Sequence, residues 1–407
     1  MSNQTSSKIN RQRVFISGDE AVAEGVRLAR PHVISAYPIT PQTIVVERLS
    51  EMVEDGSLDA KYIHVESEHS AMSAAMGVSS VGARAFTATS SQGLLYMAEG
   101  VHYASGGRMP IVMMNANRSV ALPWSIYGDH RDSISMLDSG WIQVYVEDAQ
   151  EALDMIIQAY KIAEDPLVLT PVMVNLDGFV LTHTYEIVDI PLQSDVDSFL
   201  PTFQTPNKMS LENPKSMGFS TSPADNMEFK YQQHRAMLDS REIIKSVDKD
   251  FEDKFGRSYG GLIDSYFCDD AEIVLVTVGS VTGTARIAVD NLRLRGVKAG
   301  VLKLRFLRPF PDAEIRDILG NVKALGVMDK DISFGYEGTV FTNVNSALVH
   351  LEKRPLSVNF IGGLGGRDIS VGDIEGIYTE LIEIADIGLV EDSTRVRYIN
   401  MGVEIND

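Results

Sequence analysis

The sequence predicts an α/β protein built from two parallel-sheet units. Three observations lead there. Short, fully apolar runs of strand length recur along the chain, as in Ala85-Phe86-Thr87-Ala88-Thr89 and Ile111–Ala116. Segments between them carry apolar residues at helical spacing. A proline-rich stretch between Pro191 and Asp225 separates one such series from a second. Strand runs this short and apolar suit sheets covered on both faces, and alternation with helices is the mark of α/β folds. A chain of 407 residues accommodates roughly two or three domains.

In the first unit, residues 10–190, strands are expected at Val33–Tyr37, Ala85–Thr89, Ile111–Ala116 and Val172–Asn175. From Asp148 to Glu164, Leu153, Ile156, Ile157, Tyr160 and Ala163 recur at helical spacing, with Asp148 as N-cap. Residues 191–264 read as an extended connection, carrying Pro191, Pro201, Pro206, Pro214 and Pro223, followed by a polar helix over about 227–255. The second unit, 265–390, opens with a strand at Glu272–Val278. Gly279-Ser280 turns it into a helix over about 282–295, which Gly296 stops. Strands follow at Lys298–Leu304 and Ala324–Met328, with a short helix ending near Gly320.

Composition narrows the function. The hydrophobic fraction of 44% is enough for large cores, which excludes a disordered chain. Lys+Arg 36 against Asp+Glu 56 leaves a net charge of −20, which disfavours nucleic acid as a partner. Cys268 is the lone cysteine, so this chain holds neither a disulfide framework nor an iron–sulfur cluster by itself. The polar start, Met1 to Arg13, has no apolar signal region, and no apolar run reaches the ~20 residues of a membrane span. A cytoplasmic location is expected. Phosphate-loop, dinucleotide and zinc-protease motifs are missing, the histidines have no metal-ligand spacing, and Ser246–Lys249 matches S-x-x-K without companion motifs.

Four polar clusters stand out, three of them at or near expected strand ends, where open α/β sheets bind ligands. Tyr37-Pro38-Ile39-Thr40-Pro41 places a threonine on a proline-stiffened turn, to meet a ligand or to cap a helix. Glu66-Ser67-Glu68-His69 opens a segment rich in small residues. Glu66 or Ser67 suits a cap, whereas a buried Glu68 would need a partner to share its proton. Thr89-Ser90-Ser91-Gln92-Gly93-Leu94 is a third strand end. Arg118 follows a strand and suits a bidentate carboxylate contact, or an internal salt bridge with Asp129 or Asp132.

These residues resemble the alpha chain of the 2-oxoacid:ferredoxin oxidoreductases, the pyruvate:ferredoxin oxidoreductase family. The matching pieces are YPITP at 37–41, ESEHSA at 66–71, TSSQGL at 89–94, NRS at 117–119 and GDHRD at 128–132. Ser139-Gly140-Trp141, DGF at 177–179, THT at 182–184, RPFP at 308–311 and GGLGGRD at 362–368 continue the match in order. The resemblance implies a pyrimidine-binding fold followed by a transketolase C-terminal-like unit. It implies oxidative decarboxylation of a 2-oxoacid with coenzyme A on thiamine diphosphate. Glu68 matches the glutamate that hydrogen-bonds the cofactor's pyrimidine ring, while Thr40 and Arg118 match substrate contacts. Pro38, Ile39, Ser91 and Gln92 fall with Glu68 in the cofactor-binding set. Gly128-Asp129 is followed by His130, not by the glycine of the diphosphate-and-magnesium motif. The resemblance therefore puts magnesium and the 4Fe-4S clusters on partner chains of beta, gamma and delta type, with ferredoxin or another acceptor beyond them. Pyruvate is the default substrate. Leu122-Pro123-Trp124-Ser125-Ile126 is bulkier than the corresponding stretch of several pyruvate-using members, so Trp124 opens the alternative of a larger or aromatic 2-oxoacid such as an arylglyoxylate. A non-catalytic assembly role is the remaining alternative class.

Overall fold

The computed structural model describes residues 12–212, 214–391 and 395–402; the polar start up to residue 11 lies outside them. The chain opens with β1 (Gln12–Ser17) and α1 (Gly18–Ala29), whose N-terminus is closed by a reciprocal Ser17–Glu20 capping box. Then come β2 (Val33–Ala36), α2 (Thr43–Glu54), β3 (Lys61–His64), α3 (Glu68–Ser80) and β4 (Ala85–Thr89). Two short helices, α4 (Gln92–Tyr96) and α5 (Ala98–Gly106), lead to β5 (Val112–Asn117), α6 (Arg131–Ile134) and β6 (Ile142–Tyr145). Next are α7 (Ala149–Ala163), β7 (Val172–Asp177), β8 (Tyr185–Ile190), α8 (Gln193–Phe199) and α9 (Asn226–Phe255). Asp148 caps α7 by accepting from the Glu151 amide, as its position before the apolar periodicity foretold.

The second series runs β9 (Ile263–Tyr266), β10 (Ile273–Thr277), α10 (Val281–Leu294), β11 (Ala299–Leu304) and β12 (Phe306–Arg308). It continues through α11 (Asp312–Leu319), β13 (Ala324–Asp329), α12 (Thr339–Leu348), β14 (Leu356–Ile361), α13 (Val371–Ile387) and β15 (Val396–Tyr398). The fold is α/β with two mostly parallel sheets.

The first sheet has the order β12-β6-β7-β5-β4-β2-β3, parallel except at β12. Every residue of β4, β5 and β7 is buried, because helices cover both faces. The second sheet has the order β15-β14-β13-β10-β11-β9, parallel except at β9. β1 and β8 form a separate antiparallel ribbon. β12 lies between β11 and β13 in sequence, yet it pairs with β6 and closes that edge of the first sheet.

One segment departs from the sequence reading. Pro191–Asp225 reads as an extended connection, but α8 forms inside it. Val196 and Phe199, three residues apart, are buried, and the Phe199 ring meets Phe251 and Phe255 of α9 edge-on at 5.3 and 5.7 Å. Two apolar residues among polar ones are too weak a periodic signal to announce a helix; α9 supplies the surface that stabilises it.

Candidate active site

In the first sheet the order of strands reverses between β2 and β4: β3 lies beyond β2 on one side, β5 beyond β4 on the other. Such a switch point opens a crevice at the carboxyl ends of the strands. Thr40 follows β2, Glu68 follows β3, Ser91 and Gln92 follow β4, and Arg118 follows β5. Four neighbouring strands thus bring the candidate residues to one edge.

Ser67 is the N-cap of α3, its hydroxyl accepting from the Ser70 amide at 3.2 Å, while Glu66 accepts from the Ser70 hydroxyl at 2.6 Å. Capping therefore occupies Ser67, and Glu68 is left for another task. Glu68 is only 8% exposed, and its carboxylate accepts no hydrogen bond from any described residue. It lies against Gly93, where an added Cβ would come within 2.7 Å of Glu68 Oε1. Gly93 is the clearance that lets the carboxylate enter, a role that the TSSQGL motif carried unread.

Arg118 is buried but forms no salt bridge with Asp129 or Asp132. Its Nη1 donates to the Thr40 carbonyl at 2.7 Å and its Nη2 to Gln92 Oε1 at 3.0 Å. Its Nε is buried without a partner, and the Trp124 ring centroid is 5.9 Å from the guanidinium carbon. Burial pulls the guanidinium pKa down, with Asp132 and Glu68 opposing. Asp129 is engaged elsewhere, by Arg131 and by the Gly365 amide.

Asp132, in sequence no more than a possible salt-bridge partner for Arg118, is a fully buried hub. Its carboxylate accepts from the amides of Ser91 (3.0 Å), Arg118 (3.1 Å) and Ser133 (2.7 Å), and from Asn115 and Asn117. Burial pushes this carboxyl up, with the donors opposing. By gripping two backbone amides, Asp132 sets the relative position of the loops after β4 and β5. Ser91 is held at φ 50°, a region that costs a non-glycine residue energy and clusters at functional sites. Its hydroxyl donates to the Ser119 carbonyl at 2.7 Å. Thr40 does not cap α2: the N-cap is Gln42, and Thr40 stays exposed beside exposed Pro38 and half-buried Ile39.

Four buried polar atoms at this edge have no partner among the described residues, Gln42 Oε1, Thr89 Oγ1, Ser90 Oγ and Arg118 Nε, as have others elsewhere, both Asp19 oxygens and Ser79 Oγ among them. Native proteins rarely leave such groups unpaired, and a ligand or water in the crevice is one way to satisfy them. The arrangement defines an α/β enzyme with a polar crevice at its switch point, one carboxylate and one guanidinium deep. It can hold a proton next to an anionic ligand.

A family model described as pyruvate flavodoxin/ferredoxin oxidoreductase, thiamine diphosphate-binding, matches residues 24–249. One described as pyruvate:ferredoxin oxidoreductase core domain II matches residues 271–374. Pyruvate synthase subunit PorA of Methanothermobacter thermautotrophicus is 50% identical over 382 residues, 93% of this chain and 98% of that protein. Ketoisovalerate oxidoreductase subunit VorA of Pyrococcus horikoshii is 44% identical over 383 residues, 94% of this chain and 97% of that one. The chain belongs to the 2-oxoacid:ferredoxin oxidoreductase family, as its alpha subunit. In three dimensions it is similar to a 2-oxoglutarate:ferredoxin oxidoreductase from Magnetococcus marinus, with a TM-score of 0.70 and 20% identity over 91% of this chain and 65% of that one. A split-gene transketolase superposes with a TM-score of 0.52 at 12% identity over 91% and 99% of the two chains. At these identities both share the fold.

Proposed function

We propose that the chain supplies half of the active site of a thiamine-diphosphate-dependent 2-oxoacid:ferredoxin oxidoreductase and is active only with partner chains. A 2-oxoacid anion and coenzyme A become acyl-CoA, CO2, one proton and two electrons, and the electrons leave through 4Fe-4S clusters on beta, gamma and delta-type partners to ferredoxin. Residues 10–190 act as the pyrimidine-binding unit and 265–390 as the transketolase C-terminal-like unit, joined through 191–264. The observation that carries this reading is the buried Glu68, whose carboxylate has no hydrogen-bond partner among the described residues and lies within electrostatic reach of Arg118.

The residues fit the cofactor. When bound, thiamine diphosphate supplies the electron sink that lets CO2 leave a 2-oxoacid. Glu68 would hold and exchange a proton at a pyrimidine nitrogen, which supplies the partner its carboxylate lacks. Pro38, Ile39, Ser91 and Gln92 would line the seat of the ring. The Thr40 hydroxyl, exposed at the crevice, would donate to the substrate. Arg118, oriented by the Thr40 carbonyl and by Gln92, would pair with the substrate carboxylate or oxo oxygen through its remaining N–H groups. Magnesium is placed on a partner chain because Gly128-Asp129 is followed by His130 and not by glycine. No helix of the described residues is long and apolar enough to cross a membrane, and we place the complex in the cytoplasm.

Pyruvate is the first reading of the substrate. A second, a larger 2-oxoacid, is favoured by Trp124, which stands 67% exposed beside Arg118 and could contact a bulky side chain. The test is viologen reduction by the purified complex with coenzyme A over a panel running from pyruvate through branched to aryl 2-oxoacids. Activity with one of these, and none from this chain alone, is expected. Turnover by the isolated chain, or by the complex without thiamine diphosphate, overturns the reading.

A further inference from the structure

Outside the half-site, the molecule contains a buried charge cluster with no part in the chemistry above. Asp177 ends β7, and its side chain is fully enclosed. Its Oδ1 accepts from Lys330 Nζ at 2.8 Å and lies 2.7 Å from His130 Nε2. Its Oδ2 accepts from the Ser280 amide at 2.8 Å and the Ser280 hydroxyl at 2.5 Å. Lys330 follows β13 and Ser280 follows β10, the two strands that flank the switch point of the second sheet. The approach is close: Gly279 has φ 72°, and a Cβ there would lie 2.8 Å from Asp177 Oδ2. The His130 amide also donates to the Lys330 carbonyl at 2.8 Å.

Burying a carboxylate, a lysine and a histidine together is a poor way to gain stability, since desolvation offsets most of the attraction; its better-attested use is to fix register. What this cluster fixes is the strip 129–132. Asp129 accepts from the Gly365 amide of the second unit at 3.0 Å. Arg131 donates to the Val120 carbonyl at 3.1 Å and to the Ser119 hydroxyl. Asp132 grips the amides of Ser91 and Arg118. One side of the strip is tied to the second unit, and the other ties down the loops after β4 and β5, two of the four that carry the half-site.

We propose that Lys330 is a positioning residue: through Asp177 and His130 it fixes the strip 129–132, and with it the backbone of Ser91 and Arg118. The kinetic arm of the test rests on the proposed function; a fluorescence arm does not. The chain has two tryptophans, fully buried Trp141 and exposed Trp124 beside Arg118, so acrylamide quenching of the full chain reports on Trp124. Lys330→Met should change that quenching. In the assembled complex it should lower kcat/KM for the 2-oxoacid about ten- to a hundredfold, mainly through KM, as a misplacement of ~1 Å does. Lys330→Arg, which keeps the charge, should restore most of both. Should Lys330→Met fail to fold, Ser280→Ala, which removes one donor to Asp177, should move both readouts in the same direction by less. Wild-type KM and wild-type quenching in the folded variant overturn the proposal, whatever happens to Tm. If the complex oxidises no 2-oxoacid at all, the proposed function fails, and the quenching arm still decides the role of Lys330.

Discussion

The two sheets of this molecule share an architecture and differ at their carboxyl edges. At the first edge, Glu68 has no hydrogen-bond partner among the described residues, and Gln42, Thr89, Ser90 and Arg118 keep buried polar atoms unpaired among them. At the second, Asp329 is closed off by the Val340 and Phe341 amides at the start of α12 and by Asn359 Nδ2 at 2.7 Å. Glu337 is bridged to Arg395, and one oxygen of Asp331 accepts from the Thr339 amide and hydroxyl, its other oxygen being buried and unpaired. The same kind of strand end is left open in one unit and largely self-satisfied in the other. A fold offers the location; unpaired polar groups within it mark where a ligand is wanted. If that difference has its functional meaning, substitutions at the first edge should change catalysis, and those at the second should change stability.

The largest expected effect is at Glu68. Glu68→Gln keeps the shape and removes the exchangeable proton, so turnover of the assembled complex should fall ~10²–10⁴-fold with the melting temperature nearly unchanged. Steady-state viologen reduction and calorimetry on the same preparation decide it. Near-normal turnover in a folded complex would remove Glu68 from the mechanism.

The seam between the two units comes next. Glu151 on α7 accepts from Lys303 Nζ at 2.6 Å and from Arg305 Nε at 2.8 Å, all three nearly inaccessible. Burial pushes the Glu151 carboxyl up, but Lys303 and Arg305 overcome it and hold it down from 4.5 to about 2. A carboxyl depressed in the folded state stabilises above its unfolded pKa and loses that contribution as pH falls through its folded one. Unfolding free energy should therefore drop between about pH 4.5 and pH 2. Glu151→Gln should flatten this part of the pH dependence and cost about 3–5 kcal/mol at neutral pH, since it leaves two buried cations under-compensated. Denaturant unfolding at several pH values measures both. An unchanged slope would show that Glu151 titrates normally.

Arg118→Ala should lower kcat/KM for the 2-oxoacid by roughly ten- to a hundredfold, the equivalent of about 1.5–3 kcal/mol for a lost charge-assisted hydrogen bond. Arg118→Lys should recover part, because an ammonium cannot hold the Thr40 carbonyl and Gln92 while also meeting a carboxylate in a planar fork. With no salt bridge from the guanidinium to Asp129 or Asp132, lost stability with intact kinetics has no structural basis here. Finding that pattern would give Arg118 a purely structural part.

Much of this was legible in the sequence, unevenly. β2, β4, β5, β7, β10, β11 and β13 were readable because strands buried on both faces are written as unbroken apolar runs. Thr40 and Arg118 stand out by their place at strand ends and Glu68 as a carboxylate opening a small-residue segment, while their roles rest on the family resemblance. What escaped depended on contacts far apart in the chain. α8 takes its stability from α9, β12 joins the other unit's sheet, and Lys330 meets Asp177 across 153 positions. The partners of Arg118 escaped for a related reason. Charge in sequence pointed to Asp129 or Asp132, but Asp129 is taken by Arg131 and Asp132 by backbone amides, so the guanidinium turns to a carbonyl and a side-chain amide.

The smallest expected effect tests the other half of the comparison. Asn359 lies in β14, and its side chain bridges two neighbours at the second edge: Nδ2 donates to Asp329 Oδ2 at 2.7 Å, and Oδ1 accepts from the Gly338 amide at 2.7 Å. Asn359→Ala would leave a buried amide without its acceptor and a buried carboxylate short of one donor. Each orphaned group of this kind costs about 1–3 kcal/mol. The variant should therefore unfold at lower denaturant concentration, with the slope of the transition unchanged because the surface exposed on unfolding is the same. Its kcat/KM should stay within about twofold of the parent, since this contact closes an edge whose polar groups are, apart from one Asp331 oxygen, satisfied within the protein. A kinetic loss comparable to that of Arg118→Ala, with stability intact, would mean that the second edge also receives a ligand and that the contrast between the two edges is one of occupant, not of use.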